Sequence, residues 1–287
     1  VIDNVSWQIL LHDFLRAYEQ LHEGQSVQLR EKTSSFQSWA RILVERQSQF
    51  LAELPLWREM TAQPPADYSS DAIHCTASIT GELSAATTDL LIRVAPAAYQ
   101  TQPNDLLLSA LAITLGPETI DLESHGREPI FDHLDFSRTV GWFTALYPVR
   151  LAPPSLDLAT LIPWVKTQLR RIPNGGIGYG VLRHLGGHDD LASPAKLKFN
   201  YLGRIDQLIQ QNSWIHGFAA DTAAQDQHPS NNRSHIWEIT VAVFEGQLRL
   251  TWEYSRNRHS VAEIAPLHQR LLAALEDIAA HCASVTQ

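Results

Sequence analysis

The residues with the greatest chemical reach lie together in Asp121-Leu122-Glu123-Ser124-His125-Gly126-Arg127-Glu128. A short apolar strand delivers carboxylates, an imidazole and a guanidinium to a loop, and Gly126 permits a tight backbone there. Strand ends on a rigid scaffold are where α/β folds keep reactive groups. A carboxylate near an imidazole can take a proton from one atom and return it to another. An adjacent guanidinium favours the charged carboxylate and burial disfavours it. A surface salt-bridge cluster has the same composition, so residue types alone leave both readings open.

Other chemistries fit less well. Gly176-Ile177-Gly178-Tyr179-Gly180 has the composition of a phosphate loop, but such loops follow a strand, whereas this run follows a helix ending at Arg171-Ile172-Pro173. The 13 histidines include no pair at zinc-protease spacing around a glutamate. His184, His188, Asp189 and Asp190 flank Gly186-Gly187 and read as a surface loop rather than a metal site. No glycine-serine nucleophile elbow is present.

The elements that must position these groups follow from periodicity. Trp7, Leu10, Leu11, Phe14, Leu15, Tyr18 and Leu21 recur at helical spacing, predicting a helix over 5–21 with those residues on its apolar face. A second helix is expected over 36–54, ended or kinked by Pro55. Gln63-Pro64-Pro65-Ala66-Asp67 is the best candidate linker. Beyond it come a strand at 73–80, a helix capped by Ser84, and a leucine-rich helix over 105–115 capped by Asn104. Strands are expected at 119–123, 143–151 and 196–202, with a helix opened by Ser155 before the last of these. Residues 217–234 read as a long loop. Glu245-Gly246 between apolar alternations predicts a hairpin, and Ser260 to Glu263 a capping box before a terminal helix. The pattern is α/β: a mixed sheet with flanking helices.

Composition narrows the partners. The 287 residues carry 31 acidic and 22 basic side chains, a net charge of −9, which argues against nucleic acid or an anionic membrane surface. No apolar run reaches membrane-spanning length, and Cys75 and Cys282 stand far apart, so a reducing, cytoplasmic setting is expected. The chain opens on Val1-Ile2-Asp3 with neither initiator Met nor signal pattern, and reads as a piece of a longer polypeptide.

Four stretches together resemble one family. Glu123-Ser124-His125-Gly126-Arg127-Glu128 resembles the Glu-x-His-Gly-Arg-Glu motif of epimerization domains in nonribosomal peptide synthetases. Ser137-Arg138-Thr139-Val140-Gly141-Trp142-Phe143-Thr144, then 173–180 and then Phe199-Asn200-Tyr201-Leu202-Gly203 resemble its next three motifs in order. Asp3-Asn4-Val5-Ser6-Trp7 resembles the tail of the His-His-x-x-x-Asp motif, whose second histidine would lie two positions before Val1. The segment 111–119 is shorter than the resemblance leads one to expect.

The resemblance implies a chloramphenicol-acetyltransferase-like, two-lobe condensation fold, with residues 1–66 the remainder of an incomplete first lobe and 67–287 the second lobe. It implies L-to-D inversion at the α-carbon of an aminoacyl or peptidyl thioester, borne on the 4'-phosphopantetheine arm of a peptidyl carrier protein. The neighbours would be an upstream adenylation domain and a downstream condensation domain, with no cofactor or metal held by the domain itself. Glu123 and Tyr201 are the expected catalytic residues, and Asn200 a supporting amide; the last two both reach one site only if a bulge or strand end intervenes. Asp3 is expected to support the motif loop through a buried ion pair. Arg127 would either orient Glu123 or pair with a carboxylate such as Glu128, and His125 would be a second base or a loop brace. Trp142 and Phe143 read as core. Without the upstream histidine the chain alone is expected to be inactive. The alternatives are an amide-forming condensation domain, a non-catalytic scaffold and, more remotely, a stand-alone acyltransferase.

Overall fold

Asp3 starts the first helix. Its carboxylate accepts the Ser6 N–H at 2.8 Å, and α1 runs over Asn4–His22. The computed structural model describes residues 2–64, 71–205, 214 and 227–285. Only Leu15 of the expected apolar face is buried; Trp7, Leu10, Leu11, Phe14, Tyr18 and Leu21 face outward among the described residues, and Ser6 and Ile9 point inward instead. The single helix expected over 36–54 is divided. α2 (Phe36–Glu45) ends at Arg46, a 3-10 segment covers Gln47–Glu53, and α3 (Leu54–Met60) follows. Pro55 therefore opens a helix rather than stopping one, since its missing N–H costs nothing in a first turn.

β1 (Thr76–Glu82) leads to α4 (Ala85–Asp89), capped by Ser84 as expected. The helix continues through a π-helical turn, Leu90–Val94, into α5 (Ala95–Tyr99); the widened turn lies just before Pro96, which can give no amide hydrogen. α6 (Pro103–Leu115) begins ahead of Asn104, because Gln102 is the cap and Asp105 back-bonds to its N–H at 2.7 Å. From Asp105 to Ala112 every side chain of α6 is buried. A helix apolar on all sides must be enclosed, and α6 packs against both α7 (Leu158–Arg170) and α9 (Val261–Val285). Asp105 is tolerated there because Arg170 binds it with two nitrogens, at 2.8 and 3.1 Å. Asp157, not Ser155, caps α7.

Between these helices run β2 (Glu118–Ser124), β3 (Ala145–Leu151), the short α8 (Ile177–Gly180), β4 (Leu197–Arg204), β5 (Trp237–Phe244) and β6 (Gln247–Ser255). The sheet order is β1-β6-β5-β4-β2-β3, with β2, β4 and β5 parallel and the outer pairings antiparallel. Glu245 and Gly246 both have positive φ, 49° and 77°, as a two-residue hairpin turn between β5 and β6 requires. The mixed sheet with flanking helices is the architecture that the sequence pattern predicts. Trp39, Phe50, Trp57 and Met60 join the same core as the sheet. The expected linker at 63–67 and loop at 217–234 lie partly outside the described residues.

Alternation gives the sheet two characters. Ile120, Leu122, Leu197, Phe199, Ile239, Val241, Leu250 and Trp252 are buried in the core. The intervening positions form polar rows across the other face. One row is Asp121, Lys198, Glu238 and Glu253; the next continues from Asn200 through Thr240 and Thr251 to Thr80. The core side carries the stability. Leu108, completely buried in α6, should cost about 2–5 kcal/mol on substitution by alanine, read as a lower midpoint in chemical denaturation.

Candidate functional site

β2 and β4 run parallel, so their carboxyl ends emerge on one side, the usual position for a ligand crevice in such sheets. A cavity of about 770 Å³ lies there, bounded also by the first turn of α1. Asp3, Glu123, His125, Trp142, Asn200 and Tyr201 all line it. The strand tip and the first turn of α1, remote in sequence, thus share one space.

Glu123 is held from two sides. Asn200 Nδ2 donates to Oε2 at 2.5 Å, and Lys198 Nζ stands 3.5 Å from Oε1. Lys198 is also 2.7 Å from Glu238 Oε2, and Arg233, almost wholly buried, reaches within 3.5 Å of the other Glu238 oxygen. Burial works against the Lys198 ammonium, but the charges and hydrogen bonds of Glu238 and Glu123 outweigh it and raise its pKa. Burial, helped by the negative charge of Glu238, pushes the Glu253 carboxyl up. Lys198, Glu238 and Arg233 escape sequence reasoning because each is an ordinary charge until the register aligns it.

Arg127 takes the structural-carboxylate alternative, with Asp3 as the partner in place of Glu128, and Asp3 makes the expected buried ion pair with the motif loop. The guanidinium pairs with Asp3, Nη1 to Oδ2 at 2.7 Å and Nη2 to Oδ1 at 3.0 Å, with both side chains about 95% buried. Burial disfavours the Asp3 carboxylate, yet Arg127, the Phe143 N–H and Ser6 together lower its pKa below the ordinary 3.8. The same guanidinium donates to Ser6 Oγ and the Thr139 carbonyl and lies over the Phe143 ring, 4.3 Å from its centroid. Glu128 instead faces His125, whose Nε2 is 3.3 Å away, while His125 Nδ1 accepts the Arg127 N–H at 2.9 Å. His125 thus braces its own loop while lining the cavity.

Gly126 explains the tightness of that loop. Its φ is 66°, and a Cβ there would lie 1.7 Å from the Phe143 carbonyl oxygen. Phe143 packs among Phe36, Trp39 and Phe136, whereas Trp142 is 51% exposed at the cavity, so the two neighbours divide core from surface. Ser124 Oγ donates to the Gly175 carbonyl at 2.6 Å and ties the glycine-rich stretch to the strand tip. Within that stretch Asn174, Gly175 and Gly176 are all left-handed, and a Cβ on Gly178 would strike Glu53 Oε2 at 1.9 Å. The Glu53 carboxylate, bound by Trp57 Nε1 and Asn174 Nδ2, therefore fills the concavity.

A register shift follows Tyr201, where Gly203 has a φ of 68°, and Asn200 and Tyr201 both line the cavity. Asn200 bonds to Glu123, while the Tyr201 ring packs against the core and burial raises its phenol pKa. Asp121, two residues before Glu123, is occupied elsewhere by Ser193 Oγ at 2.6 Å and His235 Nε2 at 2.9 Å. Asp190 pairs with Arg58 at 2.8 Å.

The condensation-domain family model matches residues 1–287. Among curated proteins, chondramide synthase of Chondromyces crocatus is 37% identical over 98% of the chain, and bacitracin synthase 3 of Bacillus licheniformis 33% over 99%. The chain spans only 8% and 5% of their respective lengths. The crystal structure of the epimerization domain from the third module of tyrocidine synthetase B is 32% identical, with a TM-score of 0.88, covering all of this chain and 68% of that one. The first condensation domain of the calcium-dependent antibiotic synthetase shares the fold at a TM-score of 0.67 and 16% identity, covering 99% of this chain and 63% of that one.

The Asp3–Arg127 pair makes a direct prediction. Asp3→Asn should cost about 3–5 kcal/mol in denaturation, because it leaves a buried guanidinium uncompensated. Since the folded carboxyl titrates below its unfolded value, its contribution is complete above the unfolded pKa and is lost as pH falls through the folded one. The acid limb of the stability profile should flatten in the variant.

Proposed function

The chain belongs to the condensation-domain family, and from that premise we propose that it inverts the α-carbon of an aminoacyl or peptidyl thioester presented by a peptidyl carrier protein in nonribosomal peptide synthesis. The observation that carries the reading is Glu123: a carboxylate at a strand tip, held by Asn200 and Lys198 and lining a 770 Å³ cavity. The likeness to a solved epimerization domain supports it.

The reaction is proton transfer at a weak carbon acid. The α-C–H bond breaks, the proton passes to a side chain, and the electron pair delocalises onto the thioester oxygen as an enolate. A second group returns a proton to the opposite face. Glu123 is one of these two groups. The other is the histidine that the family's motif places ahead of Val1. Tyr201 has a phenol hydrogen at the same cavity and a pKa that keeps it protonated, which suits a donor to the enolate oxygen. Asn200 acts through Glu123 and fixes its orientation. The Asp3–Arg127 pair holds the loop between them, and Trp142 offers an exposed ring to the arriving substrate.

The thioester arrives on the 4'-phosphopantetheine arm of the carrier protein, between an upstream adenylation domain and a downstream condensation domain. Residues 1–66 belong to the first lobe of the fold and 67–287 to the second. An amide-forming reaction is the second reading, favoured by the family model's description. Deuterium entering the α-carbon without peptide-bond formation separates the two.

Glu123→Gln, tested in the synthetase module with an L-aminoacyl carrier protein, should slow α-proton exchange about 10²-fold or more. An unchanged yield of D-product removes Glu123 from the mechanism.

A further inference from the structure

Lys198 has no place in the motifs, yet it is the cation closest to Glu123 in the charged row. Its ammonium lies between two carboxylates, 2.7 Å from Glu238 and 3.5 Å from Glu123. The lysine side chain is 23% exposed and the two carboxylates 22% and 14%, so water screens these charges only partly. An ammonium has donors and no acceptor. A proton on the Glu123 oxygen facing Lys198 therefore has no partner there, whereas the carboxylate can accept from Lys198 and Asn200 at once.

We propose that Lys198 is a positioning residue for Glu123: its ammonium, shared with Glu238, holds the Glu123 side chain in one orientation at the cavity. That the oriented group meets the α-hydrogen of a thioester rests on the reading of the preceding subsection. Its orientation by Lys198 does not.

The surrounding charges agree with this arrangement. Glu238 on β5 takes the nearer half of the ammonium and is itself supported by Arg233. Glu253 on β6 faces Glu238 from the next strand, and burial, with the charge of Glu238, raises its carboxyl pKa. On β2, Asp121 is taken up by His235. Asp3 is neutralised by Arg127, His125 is bound to its own loop, and the Tyr147 phenol on β3 is pushed up to about 12. Lys198 is thus the cation placed to balance Glu123 among the described residues. Without it Glu123 faces the Glu238 carboxylate across the vacated space.

Two measurements test the assignment. In the synthetase module, Lys198→Met should slow α-proton exchange about tenfold, because a misoriented reacting group costs at least that much in rate. Lys198→Arg should restore the rate, and adding Glu238→Gln to Lys198→Met should restore part of it. The second measurement needs no turnover. The Glu123 carboxyl resonance at neutral pH in protein labelled at glutamate, identified by its loss in Glu123→Gln, should move in Lys198→Met and stay close to wild type in Lys198→Arg. A resonance unmoved by Lys198→Met overturns the inference. A moved resonance in a module that exchanges no α-proton leaves Lys198 in its role and removes the epimerization reading instead. If Lys198→Met does not fold, the same comparison in Lys198→Gln, which keeps a donor without the charge, decides the matter by the same criterion.

Discussion

The geometry of this protein depends on one guanidinium–carboxylate pair. Asp3 and Arg127 are 124 residues apart, yet their side chains meet through two hydrogen bonds almost entirely out of water. Such a pair is stable only where nearly every remaining polar valence is met. Asp3 also caps α1 and accepts the Phe143 N–H, while Arg127 reaches Ser6 and Thr139. Three segments are therefore locked to one another: the start of α1, the loop after β2 and the loop before β3. The cavity lies where the first two face β4.

The sheet supplies the second constraint. Its helix-covered face is apolar and provides stability, while its other face carries rows of charges and hydroxyls. Glu123 sits where a polar row meets the cavity, so this carboxyl group inherits rigid backbone neighbours and a charge environment set several strands away. Preorganised charge of this kind changes little during a reaction, which is how a protein site improves on water. The glutamate and its amide partner come from adjacent parallel strands and need no loop rearrangement to meet.

Much of this is legible in the chain. Local signals predict the strands, the Glu245-Gly246 hairpin, the Ser84 cap and the terminal helix, because each depends on neighbours in sequence. The strand that ends at Glu123 and the alternation that separates Asn200 from Tyr201 are equally plain. The failures are non-local or competitive. Pro55 has the character of a stop, but a proline is equally at home in a first turn, and Asn104 loses the cap to Gln102 because Asp105 can back-bond. The outward apolar side of α1 shows that periodicity identifies a helix without saying what covers it. The resemblance implies a buried ion pair for Asp3 and a carboxylate partner for Arg127 but does not join the two, and Lys198 finds two glutamates through tertiary contacts that no spacing rule contains.

The glycine-rich stretch after α7 carries a last implication. Its curled backbone has the composition of a nucleotide cradle, but Glu53 is already seated inside it on Trp57 and Asn174. That carboxylate belongs to the same polypeptide, although it lies 121 residues from Asn174 in sequence. Free ATP or inorganic phosphate would have to evict that resident group and crowd its negative charge. The glycines of this stretch thus serve close approach between parts of one molecule.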